Sequence, residues 1–190
     1  MVWFGAVLGL RWGEVAGLRV GDLDLLKGAL RVSEQRPAHG PPGPPKSSAG
    51  RRWLSLPAGL VGMLAAHLSA SGLTGADAHR LVFTSPDGQP IDYSNWRRRI
   101  WLPAVEAAGV AGAGFHDLRW TNATQLVLAG VDVKTVQTRL GHADPRLTLA
   151  VYAQAVQDAD RDAAARLDER FFGQVDITRP QSPAAKHVNK

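Results

Sequence analysis

The sequence predicts a mainly α fold with a small three-stranded antiparallel sheet. Three observations carry that expectation. Apolar residues recur at helical spacing over most of the 190 residues, as in Leu60, Met63, Leu64, His67 and Leu68. Residues 29–32 and 52–56 form short apolar or alternating runs on either side of a Pro- and Gly-rich stretch, as in a β-hairpin with a long tip. Residues 81–84 form a third short β-rich run, closed by the turn Pro86-Asp87-Gly88.

Taken in order, residues 2–10 read as the end of a buried helix broken at Gly9. Trp12 to Leu18 is a short helix with Arg11 at its entry and Glu14 on its first turn. The hairpin follows, and Lys46 lies near the far end of its tip. Ala58 to Ala70 is a helix. Asp92 or Ser94 caps a long helix reaching about Ala108, which Pro103 should kink. Arg97, Arg98 and Arg99 lie on it beside Trp96 and Trp101, with Trp96 read as a core residue rather than a stacking one. His116 to Ala129 is helical and stops at Gly130. Asp132 caps the next helix, whose Val133, Val136 and Leu140 share a face before Gly141 ends it. Asp144-Pro145 opens a helix carrying Thr148 and Tyr152 one turn apart. Asp158 to Phe172 reads as a separate amphipathic last helix, and residues 173–190 as a disordered tail.

Composition narrows the function. A formal charge of +5 and a pI of about 10.1 favour an anionic partner, with nucleic acid ahead of a membrane surface. The basicity is largely arginine, which grips phosphate with a planar fork. There is no cysteine, so disulfides, thiolate metal sites and cysteine nucleophiles are excluded. The apolar start is too short to span a membrane and makes a poor signal peptide, which gives a cytoplasmic expectation. No Walker-type glycine loop and no carboxylate cluster with ligand spacing is present, so no nucleotide cofactor and no metal are expected.

Arg11, Lys46, His116, Arg119, His142 and Tyr152 are each unremarkable alone. As a surface arginine, a solvated lysine, capping histidines or a core tyrosine, each has a structural reading. Their joint pattern is different. The segments Leu8-Gly9-Leu10-Arg11-Trp12-Gly13-Glu14, Pro44-Pro45-Lys46-Ser47-Ser48-Ala49-Gly50-Arg51-Arg52, Phe115-His116-Asp117-Leu118-Arg119, Leu140-Gly141-His142 and Thr148-Leu149-Ala150-Val151-Tyr152 resemble, in order and spacing, the tyrosine recombinases, the phage-type integrases. The resemblance covers residues 1–172. It implies a tyrosine recombinase catalytic-domain-like fold and a DNA strand transferase working on double-stranded DNA as a homo-oligomer, without a cofactor. Tyr152 would be the nucleophile, Arg11 and Arg119 would hold the scissile phosphate, and His116 and His142 would bond it or move its protons. Lys46 would protonate the leaving 5′ oxygen, and Glu14 would support Arg11. DNA contacts beyond the site are expected from Arg97, Arg98 and Arg99, then Arg51, Arg139 and Arg146.

The chain departs from the pattern twice. Trp120 stands where such proteins commonly have a further histidine, and an indole cannot shuttle protons. Only ten residues precede Arg11, where relatives carry more helix and a separate core-binding module. The expectation is therefore an N-terminally truncated catalytic domain with weak, strongly salt-dependent DNA binding. Two alternatives follow: a non-cleaving DNA-binding remnant or partner of an intact recombinase, and a type IB topoisomerase-like relaxing enzyme. The apolar stripe of the last helix would pack in cis or dock on a neighbouring protomer.

Overall fold

A computed structural model of the chain describes residues 1–45 and 47–173. Lys46 and residues 174–190 lie outside the described residues, and with them the expectations for the hairpin lysine and for the tail. The chain divides into two compact units, Met1–Tyr152 and a second from Ala153 onward.

The first unit opens with α1 (Val2–Leu8) and α2 (Trp12–Ala16). Gly9 separates them at φ 66°, a left-handed conformation that only glycine adopts readily. A sheet follows, built from β1 (Leu23–Asp24), β2 (Ala29–Val32) and β3 (Arg52–Ser55) in the order β1-β2-β3, all antiparallel. Its third strand is β1 and not residues 81–84. Leu81 and Thr84 make only single bridges, to Arg19 and Pro90, so that run lies beside the sheet without joining its ladder.

The register pairs Leu30 with Leu54 and Val32 with Arg52 on the buried face, and Arg31 with Trp53 on the outer one. Leu30 and Leu54 are buried, so the two-residue period turns Arg52 inward and leaves Trp53 60% exposed.

Helix α3 (Ala58–Ala70) covers the core with Leu60 and Leu64. The expected long helix is three pieces: α4 (Tyr93–Trp96), a π turn over Arg97–Trp101, and α5 (Leu102–Ala107). Proline has no N–H, so Pro103 cannot close the turn below it, and the widened turn just upstream absorbs the mismatch. Asp92 caps α4 by accepting from the Asn95 amide at 2.7 Å. Trp96 is buried, in line with its expected core role, and Trp101 is buried beside it.

Helices α6 (Phe115–Leu128) and α7 (Val133–Leu140) complete this unit with the first two turns of α8 (Pro145–Phe172). The expected break before Asp158 is absent: α8 is one helix of 28 residues. From Ala153 onward it forms the body of the second unit, where Leu167, Phe171 and Phe172 are exposed. Among the described residues no helix is long and apolar enough to cross a membrane.

Two apolar clusters hold the first unit. The larger joins α1 and α2, the sheet, α3 and the tryptophans; the smaller joins Ala123, Val136, Leu140 and Val151. α1 lies close along α6, and a Cβ on Gly5 would stand 2.9 Å from the Leu118 side chain.

Candidate active site

Arg119 illustrates how this site is made. It projects from α6 into the interior and is only 2% exposed. Its Nη1 donates to the Gly9 carbonyl and its Nη2 to the Leu140 carbonyl. These oxygens sit at the C-termini of α1 and α7, where helix dipoles favour a cation. Both helices end on a left-handed glycine, Gly9 and Gly141, each at φ 66°. The partners are neutral, so the guanidinium retains its full charge. Burial first, and Arg11 second, lower its pKa to about 9, which still leaves it ionised at neutral pH.

Arg11 enters from the start of α2. Its amide donates to Glu14 Oε2 at 2.9 Å and its Nη1 to Glu14 Oε1 at 3.0 Å. Glu14 is buried. Burial alone would raise its pKa, but the hydrogen bond and charge of Arg52, then those of Arg11, outweigh this and hold it below the usual carboxylate range. Arg11 itself is 38% exposed at the side chain and so is accessible to a ligand.

His116 lies on the first turn of α6, and His142 follows the glycine that ends α7. His142 Nδ1 is 2.9 Å from Oγ1 of Thr148, which is fully buried on α8. That contact leaves Nε2 as the ring nitrogen available to a ligand. Burial, followed by the charges of Arg119 and Arg11, lowers the pKa of both imidazoles, that of His142 to about 4. Both rings are therefore neutral at pH 7.

Arg11, His116, Arg119 and His142 line one cavity of about 140 Å³, together with Trp120, Ala123, Leu140, Leu147 and Val151. A larger cleft of about 660 Å³ adjoins it and shares Arg11, His116 and His142; its walls include Trp12, Tyr93 and Ser47. Four cationic or proton-accepting groups from three segments thus meet at one depression. Such a site accepts a small anion and has donors for two of its oxygens.

Tyr152 lines neither cavity. It is partly exposed on α8, one turn after Thr148 and next to Val151, which does line the smaller cavity. Lys46 falls outside the described residues, although its neighbour Ser47 lies on the cleft wall. Trp120 is a wall residue, 45% exposed. Of the other arginines singled out, Arg97, Arg98, Arg99, Arg51 and Arg146 are exposed. Arg139 is half-buried and directs Nη2 to the Ser55 carbonyl at 3.3 Å, a contact within the fold.

Three residues escaped the sequence reading. Asn122 donates from Nδ2 to the Ala6 and Val7 carbonyls at 3.1 and 2.9 Å, fastening the end of α1 to α6. Thr148 orients His142, a role invisible until the two helices are packed. Arg52 joins Glu14 to the rest of the site. Its signal was present in the alternation Arg52-Trp53-Leu54-Ser55-Leu56, where Leu54 and Leu56 turn the arginine inward.

Comparison with known proteins places the sequence and the fold. The model of the phage integrase family matches residues 3–158. A tyrosine recombinase XerC-like protein of Caldanaerobacter subterraneus subsp. tengcongensis is 30% identical over 185 residues, 86% of this chain and 47% of that protein. An integrase of Saccharopolyspora erythraea is 33% identical over 136 residues, 67% of this chain and 30% of that protein. The chain thus spans half or less of the length of these relatives. Among solved structures, the integrase of the Tn1549 transposon in complex with circular intermediate DNA superposes with a TM-score of 0.66 at 23% identity, covering 87% of this chain and 58% of that one. The XerA recombinase superposes with a TM-score of 0.65 at 22% identity, covering 84% and 55%. The fold is shared with the matching parts of these proteins. With the family model matching most of its length, the chain belongs to the phage integrase family, the tyrosine recombinases.

Proposed function

We propose that this chain is the catalytic domain of a site-specific recombinase that cleaves and rejoins double-stranded DNA through a phosphotyrosine. The observation that carries the reading is the shared cavity: Arg11, Arg119, His116 and His142 line one anion-sized depression, and Tyr152 lies one turn from the residue that holds His142.

On this reading the scissile phosphate occupies that cavity. Arg11 and Arg119 donate to its non-bridging oxygens, which gain negative charge as a fifth oxygen approaches phosphorus. The Tyr152 hydroxyl attacks, a P–O bond forms to Tyr152, and the bond to the 5′ oxygen breaks. The phenolic proton passes to a neutral imidazole, and Lys46 returns one to the leaving oxygen. Rejoining runs the same steps backward, and because the phosphotyrosine stores the diester bond no nucleotide is consumed. Bound phosphate also reverses the electrostatics: an anion between the two rings raises their pKa values toward neutrality, where they can both take and give a proton. Each chain has one such tyrosine and cuts one strand, so exchanging strands between two duplexes takes several copies on DNA.

The test is a pool of nicked duplexes with randomised cores. A nick near the cut lets the short 5′ product escape and traps the covalent adduct. Wild-type protein should yield an adduct resolved by denaturing electrophoresis, and Tyr152→Phe none. Arg119→Ala should lower the rate by about 100- to 1,000-fold, the usual effect of losing one donor to a developing oxyanion. Absence of an adduct from the whole pool would overturn the reading.

A further inference from the structure

Arg52 commits its whole guanidinium to contacts outside the cavity. It is 7% exposed. Nη1 donates to Glu14 Oε1 and to the Gly50 carbonyl, both at 3.0 Å, and Nη2 to Glu14 Oε2 at 3.1 Å. Nε donates to the Arg139 carbonyl at 2.7 Å. Gly141 packs so tightly on the same group that an added Cβ would stand 2.8 Å from Nη1. The guanidinium therefore touches three segments at once. One is α2, whose Glu14 holds Arg11; another is the end of α7, which leads into His142; the third is the 47–50 turn that borders the cleft. Arg52 itself lines neither cavity.

We propose that Arg52 is a positioning residue for the phosphate site. Its planar fork fixes the spacing between Arg11, His142 and the hairpin turn. The inference rests on the cavity being a phosphate site. It differs from a simple counter-charge role, in which any cation beside Glu14 would suffice. A lysine could neutralise Glu14, but its compact ammonium cannot span a two-pronged carboxylate and two carbonyls on separate segments. Misplacing reacting groups by about 1 Å costs on the order of 100-fold in rate.

The decisive variant is Arg52→Lys in the full chain, assayed with a nicked duplex selected by the wild-type protein. The expected result is a folded protein with DNA affinity within about threefold of wild type and an adduct rate at saturating DNA lowered about 100-fold. A folded Arg52→Lys whose rate stays within about threefold of wild type would overturn the proposal. If that variant does not fold, Glu14→Gln/Arg52→Met removes both buried charges together, which folds often tolerate. It should then fold without recovering the rate. Recovery would reduce Arg52 to a counter-charge, and failure of both variants to fold would make it a folding residue only; either outcome overturns positioning.

Failure of the cleavage reading is recognised separately, by a wild-type protein that gives no adduct. Positioning is then judged by an NMR titration with inorganic phosphate. Binding about tenfold weaker in the folded variant supports it. Equal binding, or none by the wild type, overturns it.

Discussion

Gly141 has two reasons to be glycine. Its φ of 66° ends α7, and a Cβ there would stand 2.8 Å from both the Ala49 carbonyl and Arg52 Nη1. Backbone strain and collision act together, so Gly141→Ala is expected to cost about 1–3 kcal/mol in a urea titration. It should also loosen the exit of α7 into His142. Thr148 is a subtler case. Its hydroxyl meets His142 Nδ1 in a fully buried position, and valine has nearly the same shape. Thr148→Val is expected to fold and to slow adduct formation about tenfold, the equivalent of one ordinary hydrogen bond. A rate unchanged from wild type would show that the ring needs no such anchor.

At the scale of elements, an aromatic cluster joins the segments that carry Arg11 and His116. Trp12, beside Arg11, has its ring centroid 4.3 Å from that of Trp96 and 5.8 Å from that of Phe115, which precedes His116. Trp96 also stacks on Trp101 at 5.5 Å, and Trp101 Nε1 donates to the Ala113 carbonyl at 2.8 Å. Helices α2, α4 and α6 and the π turn are thereby joined through ring contacts, each contributing beyond its buried area. Truncation of the middle ring, Trp96→Ala, is expected to lower stability by about 3–5 kcal/mol by denaturant unfolding. The three arginines of the π turn are exposed, with Arg98 Nη2 reaching Asn95 at 3.3 Å. On the proposed reading they contact DNA phosphates, and each neutralised one should then reduce the slope of log affinity against log salt by about 0.9 on duplex DNA.

For the first unit as a whole, the concentration of cations around one cavity has a consequence for pH. The His142 pKa lies at about 4 in the fold against 6.5 ordinarily, and that of His116 is also lowered. The unfolded chain therefore binds more protons than the native state over this interval. The stabilisation from neutral imidazoles is complete above pH 6.5 and is lost as pH falls toward 4. Thermal melts should show the midpoint dropping across that window, and His142→Asn should flatten the drop. Inorganic phosphate at low pH should restore part of it, because an anion in the cavity offsets the imidazolium charge. A wild-type profile flat from pH 7 to 4 would contradict the electrostatic description.

The amino-acid order by itself determined most of the helices, the cap at Asp132, the choice of Asp92 or Ser94 as a second cap, and the stops at Gly9, Gly130 and Gly141, because these depend on neighbours within one turn. It also determined the family resemblance, since that rests on short segments in a fixed order. What the tertiary structure alone decided depends on partners far along the chain. The third strand is Leu23–Asp24 because that segment, and not 81–84, pairs with the edge of Ala29–Leu30 left open by β3. The long helix widens at Arg97–Trp101, where the mismatch from Pro103 meets tryptophans already fixed in the core. Arg119 meets two main-chain carbonyls 110 and 21 residues away, and Arg52 meets Glu14 and Arg139 from distances of 38 and 87 residues. Side-chain identity marks a residue as able to bind phosphate. Burial and long-range hydrogen bonding decide which arginines retain an uncompensated charge at a cavity and which spend it within the fold.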